Sequence, residues 1–318
     1  MILPVSAIIP TRDRAAELKR LLASMAASSH WPAEVVLCDA SRDHASAQLV
    51  EQVQRNWPTA QGQAPRWRYL RAQRAGLAPQ RNQAVQAAAE EFLWFLDDDV
   101  ELEPECLAQL HALMRAKPDA GGVTASLVNE SYTAPGPWSR RLLRWMDDGR
   151  QRADYAGACV GPGWTFLPDA TRLEVPWAKV EWLGGGCTLY RAAALPKPAV
   201  PEHFQGGAIG EDLATSLQVG RQHGLWHSRA ARCVHRSAGG VHKRSWVALG
   251  DQAFCHRFHI LWQILGQRQP RDVLRFAVML LFGGLGELRQ PGAWKRVTPL
   301  FVGYLRAALR LALSREGP

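Results

Sequence analysis

No Cys-x-x-Cys pair occurs in this 318-residue chain, although six cysteines stand at positions 38, 106, 159, 187, 233 and 255. Scattered in this way they offer neither a metal-ligand spacing nor a disulfide framework, and they are expected as reduced, buried thiols in a cytoplasmic setting. No apolar run reaches the roughly eighteen residues of a membrane-spanning helix, so none is expected to span. Met1-Ile2-Leu3-Pro4 opens straight into a strand pattern, which predicts no signal peptide. With 47% hydrophobic and 21% charged residues the composition excludes a disordered chain. Acidic residues are in deficit, 29 against 38 Lys and Arg, and the net charge of +9 points to an anionic partner: a nucleotide, a nucleic acid or an acidic membrane face. Tryptophan is the opposite case. Thirteen are present, most expected in the core and some available to stack on a ligand.

Hydrophobic periodicity alternates between buried strands and amphipathic helices. Val5–Ile9 reads as a strand stopped by Pro10-Thr11, and Leu18, Leu21, Leu22 and Met25 share one face of a helix over 15–27. A second strand, Glu34–Cys38, ends in Asp39, a helix follows near 46–56, and Trp67–Leu70 is a third strand. Gly76 opens a helix through Ala89, and Phe92–Leu96 is a continuous apolar strand. This β-α-β-α order predicts an α/β fold with a mostly parallel, doubly wound, Rossmann-like sheet. Thr11, Asp39 and Asp97–Asp99 fall at strand C-termini, the rim where such sheets bind ligands.

The centre of the pattern is Asp97-Asp98-Asp99. Three consecutive carboxylates at the end of a buried strand repel one another unless cations neutralise them, and Mg²⁺ or Mn²⁺ with substrate phosphates meets that need. A solvated acidic turn before the helix near Pro104 is the alternative. Farther on, Glu211-Asp212 opens another helix, where charge complementing the helix dipole competes with a chemical role. Gly184-Gly185-Gly186, without side chains, lets a ligand approach the backbone; a tight turn is the alternative.

Pro10-Thr11-Arg12-Asp13-Arg14, Asp39-Ala40-Ser41, Gly76…Arg81-Asn82, Leu96-Asp97-Asp98-Asp99, Trp182–Arg191 and Gly210-Glu211-Asp212 stand in the order and spacing that resembles bacterial-type family 2 glycosyltransferases of the GT-A fold. The resemblance covers residues 3–240. It implies a nucleotide-diphosphate sugar donor, UDP foremost, a divalent metal, and a sugar or lipid-linked acceptor. It assigns the nucleotide sugar to Thr11, Arg14, Asp39, Arg81, Asp97, Asp98, Gly185 and Gly186, with Asp39 on the base, Arg81 on base or diphosphate and Asp97 on the ribose. It assigns the metal to Asp99, Asp97 and a late histidine, His235. The choice between Mn²⁺ and Mg²⁺ stays open, although imidazole suits Mn²⁺ better. Asp212, or else Glu211, is the implied general base that deprotonates an acceptor hydroxyl with inversion.

Beyond residue 245 the composition changes. Phe276–Leu285 is apolar among Arg268, Arg271, Arg275, Arg289, Lys295 and Arg296, and a last helix over 299–313 carries Phe301, Leu305 and Leu309. This predicts a glycosyltransferase domain over 1–245 and a helical, amphipathic appendage over 246–318. The appendage either lies on the inner face of the cell membrane, making the protein peripheral there, or packs as a subdomain or homodimer interface. Residues 130–180 read as an acceptor-side insertion, and 236–244 as a basic, glycine-rich loop that closes over the diphosphate. Two other readings compete. A sugar-nucleotide pyrophosphorylase would show a glycine-rich loop where Pro10-Thr11-Arg12 stands. A non-catalytic binder of anionic lipid or nucleic acid leaves the acidic strand end unexplained, and nucleic acid is not expected as a partner.

Overall fold

In the computed structural model, residues 1–59, 63–204, 210–236, 245–287 and 292–313 are described. The elements in chain order are β1 (Ile2–Thr11), α1 (Ala15–Ala26), β2 (Trp31–Asp39), α2 (Ala45–Arg55), β3 (Arg66–Arg71), α3 (Leu77–Ala87), β4 (Phe92–Leu96), β5 (Val100–Leu102), α4 (Cys106–Ala116) and β6 (Ala120–Leu127). They continue with α5 (Pro137–Met146), β7 (Cys159–Val160), β8 (Trp164–Thr165), β9 (Trp177–Lys179), β10 (Cys187–Arg191), α6 (Glu211–Gly220), β11 (Gly224–His235), α7 (Trp246–His259), α8 (Pro270–Glu287) and α9 (Trp294–Leu313).

The described residues fall into two compact units. One comprises those among 1–133, 156–158 and 167–238; the other comprises those among 134–155, 159–166 and 239–318. Position along the chain therefore does not divide them: α5 and the β7–β8 hairpin, which the sequence pattern places in an acceptor-side insertion, belong with the C-terminal helices.

The first unit is built on a nine-stranded sheet in the order β3-β2-β1-β4-β10-β6-β11-β5, with β9 added beside β11. β1, β2, β3 and β4 run parallel, as the alternating pattern requires, and β6 and β11 are parallel to each other. β10 enters antiparallel between β4 and β6, making the sheet mixed at its centre. Phe92–Leu96 of β4 is buried throughout, and α1 covers the sheet with Leu18, Leu21, Leu22 and Met25. Burying such a side chain contributes about 1.5–3 kcal/mol, so this layer dominates the local stability. The strand C-termini are left pointing at one rim.

The second unit is helical. α7 and α9 cross closely: a Cβ at Gly250 would collide with the Leu300 carbonyl, and one at Gly303 with that of Val247. Asp251 on α7 accepts from both terminal nitrogens of Arg310 on α9, at 3.1 and 2.7 Å. α9 begins before the expected Pro299, which lies inside it. No described helix is long and apolar enough to cross a membrane. Arg289 and most of the expected closing loop, 237–244, lie outside the described residues.

Candidate active site

Four strand ends and two helix starts converge at the rim of the first unit. Gln80 on α3 ties two of the strands, its amide donating to the carbonyls of Thr11 (2.9 Å) and Cys38 (2.8 Å). Asp39 ends β2 fully buried; it accepts from the Ser41 backbone N–H at 2.7 Å and the Tyr69 hydroxyl at 2.5 Å. Tyr69 has no counterpart in the motif reading. It lies at an ordinary position in β3, and only the parallel register of β2 and β3, which pairs Leu37 with Tyr69, brings it close.

The acidic triplet divides its work. Asp98 turns inward, accepting from the Thr11 hydroxyl at 2.8 Å and pairing with Arg14 at 2.8 Å. Burial raises its pKa to about 7, against the pull of Arg14 and Thr11. Asp99 also pairs with Arg14, at 2.6 Å. Burial alone would raise it, but the hydrogen bonds from His235 and Arg14 hold it at about 2. Arg14, expected on the nucleotide sugar, thus sits against the triplet.

His235 reaches Asp99 because β11 returns antiparallel to β5, setting His235 opposite Val100. Its Nε2 lies 3.3 Å from Asp99 Oδ1, and its Nδ1 lies 3.2 Å from Glu130. Asn129 brackets its backbone, donating to the His235 carbonyl at 2.8 Å and accepting its N–H at 3.0 Å. Hydrogen bonds to Asp99 and then Glu130 raise the His235 pKa to about 10. One ligand atom each from Asp97, Asp99 and His235 lie within 4.8 Å of one another. Two carboxylates and an imidazole are a donor set that fits Mn²⁺ well and Mg²⁺ less well. Glu130, missed in the sequence, fixes the outer nitrogen of the histidine as metal-site histidines require.

Arg81 is 1% exposed, and its partners are protein groups. It donates to Asp97 (2.6 Å), Glu211 (3.1 Å) and the Gly185 carbonyl (3.0 Å). It is a strut between the triplet and the Glu211-Asp212 pair as well as a cation at the rim. Gly210, at φ 87°, takes the left-handed conformation that turns the chain into α6 and presents both carboxylates in its first turn. Burial, then the Asp212 charge, push Glu211 up against the pull of Arg81. Burial also raises Asp212, opposed first by the Leu213 N–H. Asp212 accepts from Leu213 N–H at 2.7 Å and Gly185 N–H at 3.2 Å.

The glycine run sits between these groups. The Asp97 N–H donates to the Gly186 carbonyl at 3.0 Å, so two consecutive glycine units link Asp97 to Asp212. A Cβ at Gly185 would lie 3.1 Å from an Arg81 nitrogen and 3.2 Å from Asp212 Cβ, which explains the absence of a side chain there. Gly184, Gly186, Trp182, Glu130 and His227 also line a small cavity of about 50 Å³.

The family model "Glycosyl transferase family 2" matches residues 6–195. This chain belongs to glycosyl transferase family 2. The matched stretch holds the acidic triplet, Arg81 and the glycine run but ends before Glu211, Asp212 and His235. No curated protein matches the chain. Among solved structures, it is similar to a mannosyltransferase from Pyrobaculum calidifontis in complex with GDP-Man and Mn²⁺: 17% identity, TM-score 0.55, 98% of this chain and 88% of that one. It is also similar to S. aureus TarS (17%, TM-score 0.50, 89% and 43%) and to GalNAc-T7 with UDP, GalNAc and Mn²⁺ (17%, TM-score 0.50, 73% and 43%). At these identities the likeness is one of fold: the GT-A architecture.

Proposed function

We propose that this family 2 glycosyltransferase is a metal-dependent, inverting enzyme that moves a sugar from a nucleotide-diphosphate donor, foremost a UDP-sugar, to a hydroxyl on a glycolipid or cell-surface polysaccharide intermediate. One observation carries the reading. The Gly185-Gly186 backbone joins Asp97, a member of the Asp97–Asp99–His235 cluster, to Asp212, so a metal-ligand set and an elevated carboxylate flank one side-chain-free surface. Mn²⁺ held by that cluster would neutralise the leaving diphosphate without proton transfer. The neighbours in complex with GDP-Man and with UDP, each with Mn²⁺, support a donor of this class.

The chain's own groups do the rest. Arg81 holds Asp97 and the Gly185 carbonyl in place, and Gly185 N–H orients Asp212. Asp212, made more basic by burial, takes the proton of the acceptor hydroxyl as it attacks opposite the diphosphate. Glu211, more deeply buried and paired with Arg81, serves position rather than proton transfer.

The membrane part of the reading rests on the second unit. Val302, Leu305, Leu309 and Leu313 are exposed at spacings of three and four along α9, with Leu274, Leu281 and Leu285 exposed on α8. Arg306 and Arg310, on another side of α9, share the single carboxylate of Asp251 and so leave a net positive charge there. Such a face suits an anionic bilayer surface, placing the enzyme peripherally at the inner membrane face; a homodimer seam is the outcome that size measurement would detect.

The chemistry is tested by donor hydrolysis, with water standing for the acceptor hydroxyl and the anomer of the freed sugar read by NMR. Inverted product is expected, and Asp212→Asn should lower the rate by about 10²–10⁴ while nucleotide affinity holds. Retained configuration, or an unimpaired Asp212→Asn, refutes the mechanism.

A further inference from the structure

Helix α5 reads Pro-Trp-Ser-Arg-Arg-Leu-Leu-Arg-Trp-Met from Pro137 to Met146, with three arginines, two tryptophans and no acidic residue. At 3.6 residues per turn its buried side chains, Leu143 and Met146, point one way. Arg140, Arg141 and Arg144 then stand on the opposite face, with Trp138 and Trp145 about two turns apart along one flank. All five are exposed, Trp138 by 84%. The arginines spend little on the protein. Arg140 Nε donates to the Pro135 carbonyl and Arg144 Nε to that of Gly149, each at 3.1 Å. The carboxylates next in the chain are taken elsewhere: Asp147 pairs with Arg152 at 2.8 Å, and Asp148 with Arg275 at 2.8 Å. Among the described residues none of the three α5 arginines forms an ion pair. The tryptophan flank meets α8, where Arg275 lies over the Trp145 ring at 5.5 Å and the adjacent Leu274 is exposed. On α9, by contrast, Arg306 and Arg310 both turn to Asp251.

We propose that the outward face of α5 docks on the headgroups of an anionic bilayer, its three guanidiniums on lipid phosphates and its two indoles at the boundary with the acyl chains. Like charges one turn apart, Arg140 with Arg144 and Arg141 with Arg144, destabilise a helix, and a dense anionic surface removes that cost. Guanidinium groups match phosphate oxygens in pairs, and an indole, apolar in body with one N–H, suits the membrane–water interface. A nucleic-acid backbone would match the charge as well, but it would leave the exposed leucines of α8 and α9 without a partner. A bilayer takes both. The proposal deepens the membrane part of the function above and rests on that part, not on the donor site: α8 and α9 supply apolar contact, and α5 supplies the selectivity for charge.

The test is flotation of the full chain with vesicles of phosphatidylcholine alone and of an equal mixture of phosphatidylcholine and phosphatidylglycerol. Each arginine at an anionic surface adds roughly fivefold to binding, so the three together should favour the anionic vesicles by about 10²-fold, less at high salt. The triple variant Arg140→Gln, Arg141→Gln, Arg144→Gln should bind both vesicles alike. The corresponding triple Lys variant keeps the charge and should keep most of the preference, which guards against a merely structural loss. Trp138→Ser should weaken binding to both. Equal wild-type binding to the two vesicles, a Gln variant that keeps the preference, a Lys variant that loses it, or undiminished binding of Trp138→Ser overturns the proposal. Leu305→Asp separates the two readings: it should weaken binding to both vesicles and leave the preference intact. Wild type that floats with both alike refutes the α5 inference alone, and wild type that floats with neither refutes the membrane reading and the inference with it. Retention of a DNA duplex that the Gln variant abolishes, without flotation, puts a nucleic acid on this face and overturns the proposal as well.

Discussion

Removing Arg81 should unsettle the site through Glu211. The guanidinium, 1% exposed, holds Asp97 at 2.6 Å, Glu211 at 3.1 Å and the Gly185 carbonyl at 3.0 Å. Arg81→Ala strands a carboxylate that is itself 5% exposed beside Asp212. Breaking a buried pair by deleting one partner costs about 3–5 kcal/mol, and at roughly 2–4 °C per kcal/mol for a unit of this size the midpoint should fall on the order of 10 °C. The pH dependence has a defined sign. Burial and Asp212 already hold Glu211 above its ordinary value, so its neutral form is the one the fold favours, and losing Arg81 raises it further. The share of the penalty that comes from Glu211 is therefore absent below the unfolded pKa of about 4.3 and grows as pH rises through the folded value, while the lost contacts to Asp97 and the Gly185 carbonyl cost stability at either pH. Glu211→Gln alone should cost about 1 kcal/mol or less, because an amide oxygen still accepts from Arg81. In the Arg81→Ala background the same change should recover more than 1 kcal/mol, a coupling that neighbours in one network show. Urea denaturation of the four proteins at pH 5 and pH 7.5 measures it. Additive costs, or an Arg81→Ala penalty that is equal at both pH values, would refute the strut.

Two further outcomes are expected. His227 is 1% exposed, and burial lowers its pKa from 6.5 to about 4; the Ser126 hydroxyl donates to Ser228 O and so accepts from His227 Nε2–H, leaving Nδ1 unprotonated, as in a neutral ring. The folded state binds the fewer protons, so stability is full above pH 6.5 and falls by about 3 kcal/mol as pH drops through the interval to 4; thermal melts should show a flatter acid limb in His227→Gln, and an unchanged limb would contradict the assignment. Glu130→Gln should weaken Mn²⁺ binding about 10–100-fold, read by electron paramagnetic resonance of free Mn²⁺, with secondary structure unchanged; wild-type affinity would show that Glu130 does not orient His235.

Much of the first unit was legible because its signals are local. The apolar run of β4 and the four-residue face of α1 reveal themselves within a dozen residues, and the parallel order of β1 to β4 follows from their alternation with helices. The elements that complete the site depend on long-range pairing. That β10 slips antiparallel between β4 and β6, or that His235 stands opposite Val100, is set by register between segments far apart in the chain. Asp97, Asp99 and His235 came together as the family resemblance implies. Arg81 and Arg14 behaved less simply: a charged side chain is expected to reach outward for a ligand, yet surrounding carboxylates gave Arg81 a buried place and Arg14 a seat on Asp98 and Asp99. The membership of 134–155 and 159–166 could not be read, since α5 and the β7–β8 hairpin carry no sign of which unit will bury them.

The most direct measurement is calorimetric titration of UDP, GDP and dTDP with Mn²⁺ and then with EDTA, on wild type and Asp99→Ala. Micromolar binding of one nucleotide that vanishes with EDTA and in Asp99→Ala is expected, since EDTA takes away the ion and Asp99→Ala removes one of the three groups, Asp97, Asp99 and His235, that would hold it. Binding that survives both treatments, or no binding of any of the three, would contradict a metal-dependent donor site at the end of β4.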